Sequence, residues 1–295
     1  MATTALAVSA PTRRAGVRRF LRRFTLSARV AAVVLLLYGL IALTGPLWAP
    51  YSPFATGSVP FGGGSWTHLF GTDILGRDVF SRVVYGTRNV LYLSLTSTLL
   101  ALLVGGAIGL ASGLVGGWVD ELLMRAFETI ISIPLLVLAL LAIAAAGPKL
   151  AGSSLLLILV VLLVYAPRIA RMARTVAVDL VTRDYVTVAR ARGESVASIV
   201  WRELTPNAAG VLLVEFGVRA GYAPILISSL GFLGFGAQPP SPEWGLMISE
   251  NRVAIVTAPL SVLAPAGALA VLVISLNLVT DGVARVLGRS VTRTP

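Results

Sequence analysis

The chain has 295 residues, 56% of them hydrophobic and only 13% charged, and its formal net charge of +11 is almost wholly arginine. Soluble domains carry about 25% charged residues, so this is a membrane composition, and arginines clustered between apolar runs point to topology rather than to nucleic acid. The absence of cysteine excludes disulfides and thiol chemistry; the single histidine, His68, reads as a polar loop residue, and no metal site is expected.

A helix needs roughly 20 apolar residues to cross the hydrocarbon core. Residues 1–29 read as a basic cytoplasmic tail with seven arginines. The first span is expected at Val30–Trp48, ending in a proline cluster. Arg18-Arg19-Phe20-Leu21 ahead of it resembles a secretory signal, but no small-x-small cleavage site follows, so an uncleaved anchor is expected. Residues 49–89 form an extracytoplasmic loop. Residues 90–285 form a core with five further spans: within Val90–Val115, Thr129–Ala146, Leu150–Pro167, about Ala208–Leu230, and within Val253–Thr280. Residues 286–295 form a tail. The expected fold is an all-α polytopic membrane protein with six transmembrane helices. With the N-terminus inside, eighteen arginines fall on cytoplasmic segments, against five basic residues outside. The Lys/Arg bias therefore places both termini in the cytoplasm of a plasma (inner) membrane protein in contact with lipid.

Four stretches interrupt the apolar pattern. Between the first two spans lies His68-Leu69-Phe70-Gly71-Thr72-Asp73-Ile74-Leu75-Gly76-Arg77-Asp78, continuing to Tyr85-Gly86. The spacing of residues 77/78, 81/82 and 85 is helical and suits an interfacial helix. Asp73, Arg77 and Asp78 can satisfy one another locally, as a scaffold closing the outer face; contact with a binding protein is the alternative. Ahead of the third span, Asp120, Glu121, Met124, Arg125 and Glu128 precede Ser132-Ile133-Pro134; the acids suit a helix start, and Pro134 predicts a kink.

The third stretch, Arg168 to Arg202, carries seven arginines and reads as a cytoplasmic loop reaching to residue 206. Within Asp184-Tyr185-Val186-Thr187-Val188-Ala189-Arg190-Ala191-Arg192-Gly193, the small residues Val188, Ala189 and Ala191, with Ser195 beyond, allow close helix contact. Gly193 permits a turn between two short helices, and Pro206, after Glu203, can start the next helix. The fourth stretch, Gly231 to Gly245, is too rich in Gly and Pro for a regular helix. Irregular backbone near membrane depth needs a cavity or protein around it, so Phe232, Phe235, Gln238 and Trp244 are candidate gate residues; Trp244 as an interface anchor is the other reading. Glu215 and Arg219, at i,i+4 within the fifth span, either face a path or simply neutralise each other.

The outer motif, the basic segment and the Gly231–Gly245 stretch, in this order on six spans, closely resemble the permease subunits of ATP-binding-cassette importers for dipeptides, oligopeptides and nickel, in particular the "C" type. The resemblance covers about residues 20–285. It implies the type I importer permease fold and a transport path for short peptides or related small solutes. It implies a second permease in a heterodimer, cytoplasmic ATPase subunits and an extracytoplasmic substrate-binding protein. It also implies that Asp184–Pro206 is the ATPase-coupling loop. The chain departs from the family's loop pattern at Thr187, where glutamate is usual, at Val188, and at Thr205, where leucine precedes the proline. Asp120-x-x-Met124-Arg125 with Ser132-Ile133-Pro134 resembles a further family motif.

No G-x-x-x-x-G-K-[ST] phosphate loop occurs, and Lys149 is the sole lysine. The chain is expected to bind no cofactor and to catalyse nothing; ATP and magnesium would be used by the partner ATPase. A membrane-embedded enzyme would need clustered intramembrane acids or histidines, and an autonomous channel or ion-coupled carrier often shows an internal repeat; neither pattern is present.

Overall fold

The computed structural model describes residues 24–147, 149–150 and 152–291. The expected tail therefore lies outside the described residues except for its last six positions, as do residues 292–295 of the other tail. All regular structure is helical. Thr25 caps α1, Leu26–Trp48, through its hydroxyl, and Asp78 caps α2, Val79–Val115. Two helices follow, α3 (Gly117–Ser132) and α4 (Leu135–Ala146). Ser153 caps α5, Ser154–Leu180. The short α6 (Asp184–Ala191) and α7 (Val196–Ile199) lead through a π-helical turn, Val200–Leu204, into α8, Thr205–Phe232. Glu243 caps α9, Trp244–Asn251, and α10, Leu260–Val291, closes the bundle.

Among the described residues five helices are long and apolar enough to cross a membrane, with α7, the π turn and α8 counting as one; α3 and α4, bent by 98°, make a sixth only if taken together. The expected third span, Thr129–Ala146, is thus broken at Ile133-Pro134. Pro134 has no N–H to continue the ladder, and α4 alone, with 12 residues, is about 18 Å long. Three further boundaries are corrected. The helix expected to end at Pro167 runs on to Leu180, so the first third of the basic stretch is helix, not loop. The residues expected to form an interfacial helix are the first turns of α2, and Val79, Ser81 and Arg82 are fully buried. The sixth span starts at Leu260, inside the expected stretch, after a 3-10 turn and a loop over residues 252–259, but its helix runs past Thr280 to Val291.

Helix contacts fix the directions. Gly45 of α1 meets Val84 of α2, Gly217 and Gly221 of α8 meet Thr280 and Asn277 of α10, and Gly282 of α10 meets Ala28 of α1. Hence α1 and α8 run one way and α2 and α10 the other, and the described chain ends share one end of the bundle with α6 and α7. α2 and α5 run parallel and form the most extensive helix pair. Glycines 105, 109 and 113 present bare backbone to Ala166, Ala170 and Ala177 of α5, with Ala173 between. In lipid, apolar surface gives little drive to associate, so close backbone packing of small residues takes over. Around this pair Leu157, Val161, Val164, Ile169, Ile227 and Leu230 form the main core. The outward faces of α1 and α2, with Leu36, Leu43, Tyr92 and Leu99, stay exposed, as a lipid-facing surface would.

Candidate functional site

Three polar sites stand out on this scaffold. At the α1–α8 end, α6 lies against the last turn of α2. Val186 and Ala189 are buried, in a cluster with Leu110, Leu114, Ile199 and Leu204. Arg190 donates from Nη2 to the Leu114 carbonyl at 2.5 Å, satisfying one of the open carbonyls of the α2 C-terminus. Gly193 has φ of +73° and separates α6 from α7, as its position predicts. Its N–H bonds to Arg190 O, and the Glu194 N–H to Ala189 O, closing the helix end. The Ser198 hydroxyl, helped by the Arg192 guanidinium, holds the Glu194 carboxyl below the usual glutamate range.

The expected small-residue surface is therefore split. Ala189 turns inward and is unavailable to a partner, whereas Thr187, Val188, Ala191, Gly193 and Ser195 are exposed, as are Asp184 and Pro206. Tyr185 and Glu203 are half-buried. Pro206 sits in the first turn of α8, where its missing N–H costs nothing. Beside this element Asp120 accepts from Nε and Nη2 of Arg174 at 2.6–3.0 Å and from Ser112, tying α3 to α5 and α2. Arg174 lies 54 positions away from Asp120, so this pairing was invisible in the sequence.

At the opposite end, the two motif-bearing stretches meet. Asp73 is fully buried and accepts from Leu75 N, Arg77 N and Arg77 Nε. Arg77 also donates to Glu250 Oε2 at 2.8 Å, and Arg82 reaches Glu250 at 3.3 Å and Ser241 O at 3.3 Å. The Ile74 N–H bonds to Asn251. Gly71 and Gly76 both have φ of +72°, and Thr72 bonds to Gly62 and Val59 across the loop. The local scaffold reading holds for Asp73 and Arg77 but not for Asp78. That carboxylate caps α2 through Ser81 N and lies 2.9 Å from Nδ1 of His68. His68 is a polar loop residue, as expected, and is anchored there: Ser58 contacts its other nitrogen and Tyr51 its ring. Glu250 and Asn251 were missed as members of this latch, because their partners lie more than 150 positions away and no local spacing reveals them; Arg82 joins it through both Glu250 and the nearby Asp73.

Trp244 is neither gate nor interface anchor within this chain. It is fully buried, donates from Nε1 to Val83 O at 3.1 Å and packs edge-on against Tyr38. Glu243 beside it accepts from Gly245 N, Leu246 N and Ser228. Burial nonetheless pushes its carboxyl up to about 7. Phe232, Phe235 and Gln238 are exposed, and Gln238 folds back to donate to Gly234 O and Gly236 O.

The third site is the middle of α8. Glu215 is buried and pairs with Arg219 at 2.5 Å. Arg219 and Tyr222 help line a cavity of about 230 Å³. A second cavity of about 350 Å³, beside Phe232, shares Leu136, Ile225 and Ser229 with it. An open, partly polar groove thus follows α8 from Arg219 to the start of the irregular segment.

Comparison with known proteins places the chain. Residues 105–293 match the family described as binding-protein-dependent transport system inner membrane component. The dipeptide transport system permease protein DppC of Alkalihalophilus pseudofirmus is 34% identical over 256 residues, covering 86% of this chain and 83% of that protein. The glutathione transport system permease protein GsiD of Pectobacterium atrosepticum is 34% identical over 271 residues, covering 90% and 88%. A putative peptide transport system permease protein of Brucella suis is 35% identical over 271 residues, covering 92% and 89%. Among solved structures, a chain of the inward-facing MetNI methionine ABC transporter superposes with a TM-score of 0.53 at 18% identity, covering 70% of this chain and 97% of that one. The chain belongs to the binding-protein-dependent transport system inner membrane component family and is a permease of an ATP-binding-cassette importer.

Proposed function

We propose that this permease forms half of a translocation pathway for short peptides and is driven by a separate ATPase that grips α6 and α7. The carrying observation is the construction of that element. Its inner face is pinned to α2 by Val186, Ala189 and Arg190, while its outer face offers Thr187, Val188, Ala191 and Ser195. A short helix held this way passes a push to α2 and, through the glycine row, to α5. Nucleotide-driven closure of the ATPase would then bias the bundle between inward- and outward-facing states by differential contact.

On this reading the α6–α7 end and both termini face the cytoplasm of the plasma membrane, as the arginine bias argues. The Asp73–Glu250 latch faces the other side, where a substrate-binding protein delivers solute. A second permease completes the pathway along the open side of α8. The peptide substrate rests on the names of the relatives.

A pull-down of the tagged chain from mild detergent tests this. Co-purification of an ATPase and a second permease, with the ATPase lost on Gly193→Arg, is expected. Recovery of the chain alone, stable and monodisperse, would favour an autonomous carrier instead.

A further inference from the structure

Arg219 sits at the middle of α8, and its Cζ lies 5.9 Å from the ring centroid of Tyr165 on α5. Glu215 engages Nε and Nη2 of Arg219 through one oxygen, leaving the Nη1 side for a second acceptor. Arg168, one turn beyond Tyr165, is within Coulombic reach of Arg219. Its guanidinium donates to Val164 O at 2.5 Å and has no carboxylate partner among the described residues. Arg168 thus adds a second positive charge near the Glu215–Arg219 pair. The Tyr165 hydroxyl adds a second unmet demand: the side chain is 1% exposed, lines the same cavity, and its oxygen has no hydrogen-bond partner among the described residues. Tyr222 and, farther along α8, Ser229 also line the cavity, among leucine and isoleucine side chains.

Every unsatisfied group here can donate, and the local charge is positive. What fits is an acceptor with negative charge. An uncompensated cation at this depth is costly unless it faces a cavity or a partner. We propose that this recess binds a carboxylate of the transported solute, with Arg219 as its charge partner and the Tyr165 hydroxyl as donor. The inference rests on the reading that the open side of α8 lines the pathway. Glu215 then holds the guanidinium in place between solutes.

The chain contains no cysteine, so Tyr222→Cys gives it a single thiol in the lining of the recess, one turn from Arg219. In the purified importer assembly, that thiol is reacted with methanethiosulfonates carrying a sulfonate or a trimethylammonium group, and modification is read from the intact mass of this chain. The anionic reagent should be favoured roughly tenfold over the ratio measured for a small thiol in solution. The preference should vanish with Arg219→Gln and persist with Arg219→Lys. A dipeptide with a free C-terminus should slow modification, and its C-terminal amide should not; protection by an amidated peptide bearing a glutamate side chain would assign the carboxylate to the side chain. Equal rates for the two reagents, indifference to Arg219→Gln, equal protection by a neutral amide, or no reaction at all would each overturn the site. ATP-driven uptake by the assembly without the cysteine, measured alongside, separates the two readings. Uptake with no charge preference sinks the carboxylate site alone, whereas ATP-independent uptake sinks the importer reading itself.

Discussion

Replacing Asp73 by alanine probes the latch that joins the outer motif to α9. Asp73 is fully buried and neutralises two buried arginines together with Glu250; Arg77 and Arg82 are 1% and 0% exposed. Without it, two guanidiniums share one carboxylate, and the Leu75 and Arg77 N–H groups lose their acceptor. Removing one partner of a buried pair typically costs about 3–5 kcal/mol. The control is Glu121→Ala, whose pair with Arg125 is 2.6 Å long but has side chains 64% and 73% exposed, so that solvent screens it. In a thermal melt of the protein in detergent, Asp73→Ala should lower Tm by on the order of 10 °C and Glu121→Ala by little. Asp73→Asn should fall between them, since an amide oxygen still accepts but carries no charge. Equal small shifts for Asp73→Ala and Glu121→Ala would refute the view that this cluster holds the loop to α9.

Three other perturbations separate further parts of the account. Ala191→Trp, on the exposed side of α6, should abolish ATP-driven uptake at normal levels of inserted protein, whereas Ala189→Trp should lower the yield of folded protein; the reverse pattern would show that the docking face is misassigned. Gly109→Val should destabilise the bundle by about 1–3 kcal/mol or more, because even a Cβ there meets Ala170 O and lies 2.8 Å from Ala173 Cβ; an unchanged melting temperature would contradict tight α2–α5 packing. Glu243 contributes a pH dependence of known sign. Its carboxyl titrates near 7 when folded and near 4.5 when unfolded, so its contribution is fully present below about pH 4.5 and lost as pH rises through 7. Glu243→Gln should flatten that part of the Tm–pH profile, and a profile unchanged by the substitution would refute the buried, raised carboxyl.

What the sequence reveals here is set by how local the cause is. Five spans, the irregular segment after Phe232, the turn at Gly193 and the helix start at Pro206 follow from apolar runs and from the backbone limits of Gly and Pro, which act within a few residues. Pro167 was misleading because packing of Ala166, Ala170 and Ala173 against the α2 glycines outweighs one lost backbone hydrogen bond. The break at Pro134 was foreseen as a kink, yet its 98° depends on what α3 and α4 pack against. The pairings Asp73–Arg82–Glu250, Asp120–Arg174 and Trp244–Val83 were hidden for another reason: each joins residues on different elements of the fold. A motif's composition says that its charges need partners but not where the fold supplies them. Ala189 makes the same point at the proposed docking element, where a small residue fits an external contact and an internal one equally well.

The most direct test of the importer account is uptake of a radiolabelled dipeptide into proteoliposomes that contain the assembly recovered with this chain and are supplied with binding protein. The account predicts uptake that requires ATP and magnesium on the α6–α7 side, is unaffected by collapsing ion gradients, and is lost with Gly193→Arg. Uptake driven by an ion gradient without ATP, and indifferent to Gly193→Arg, would contradict it.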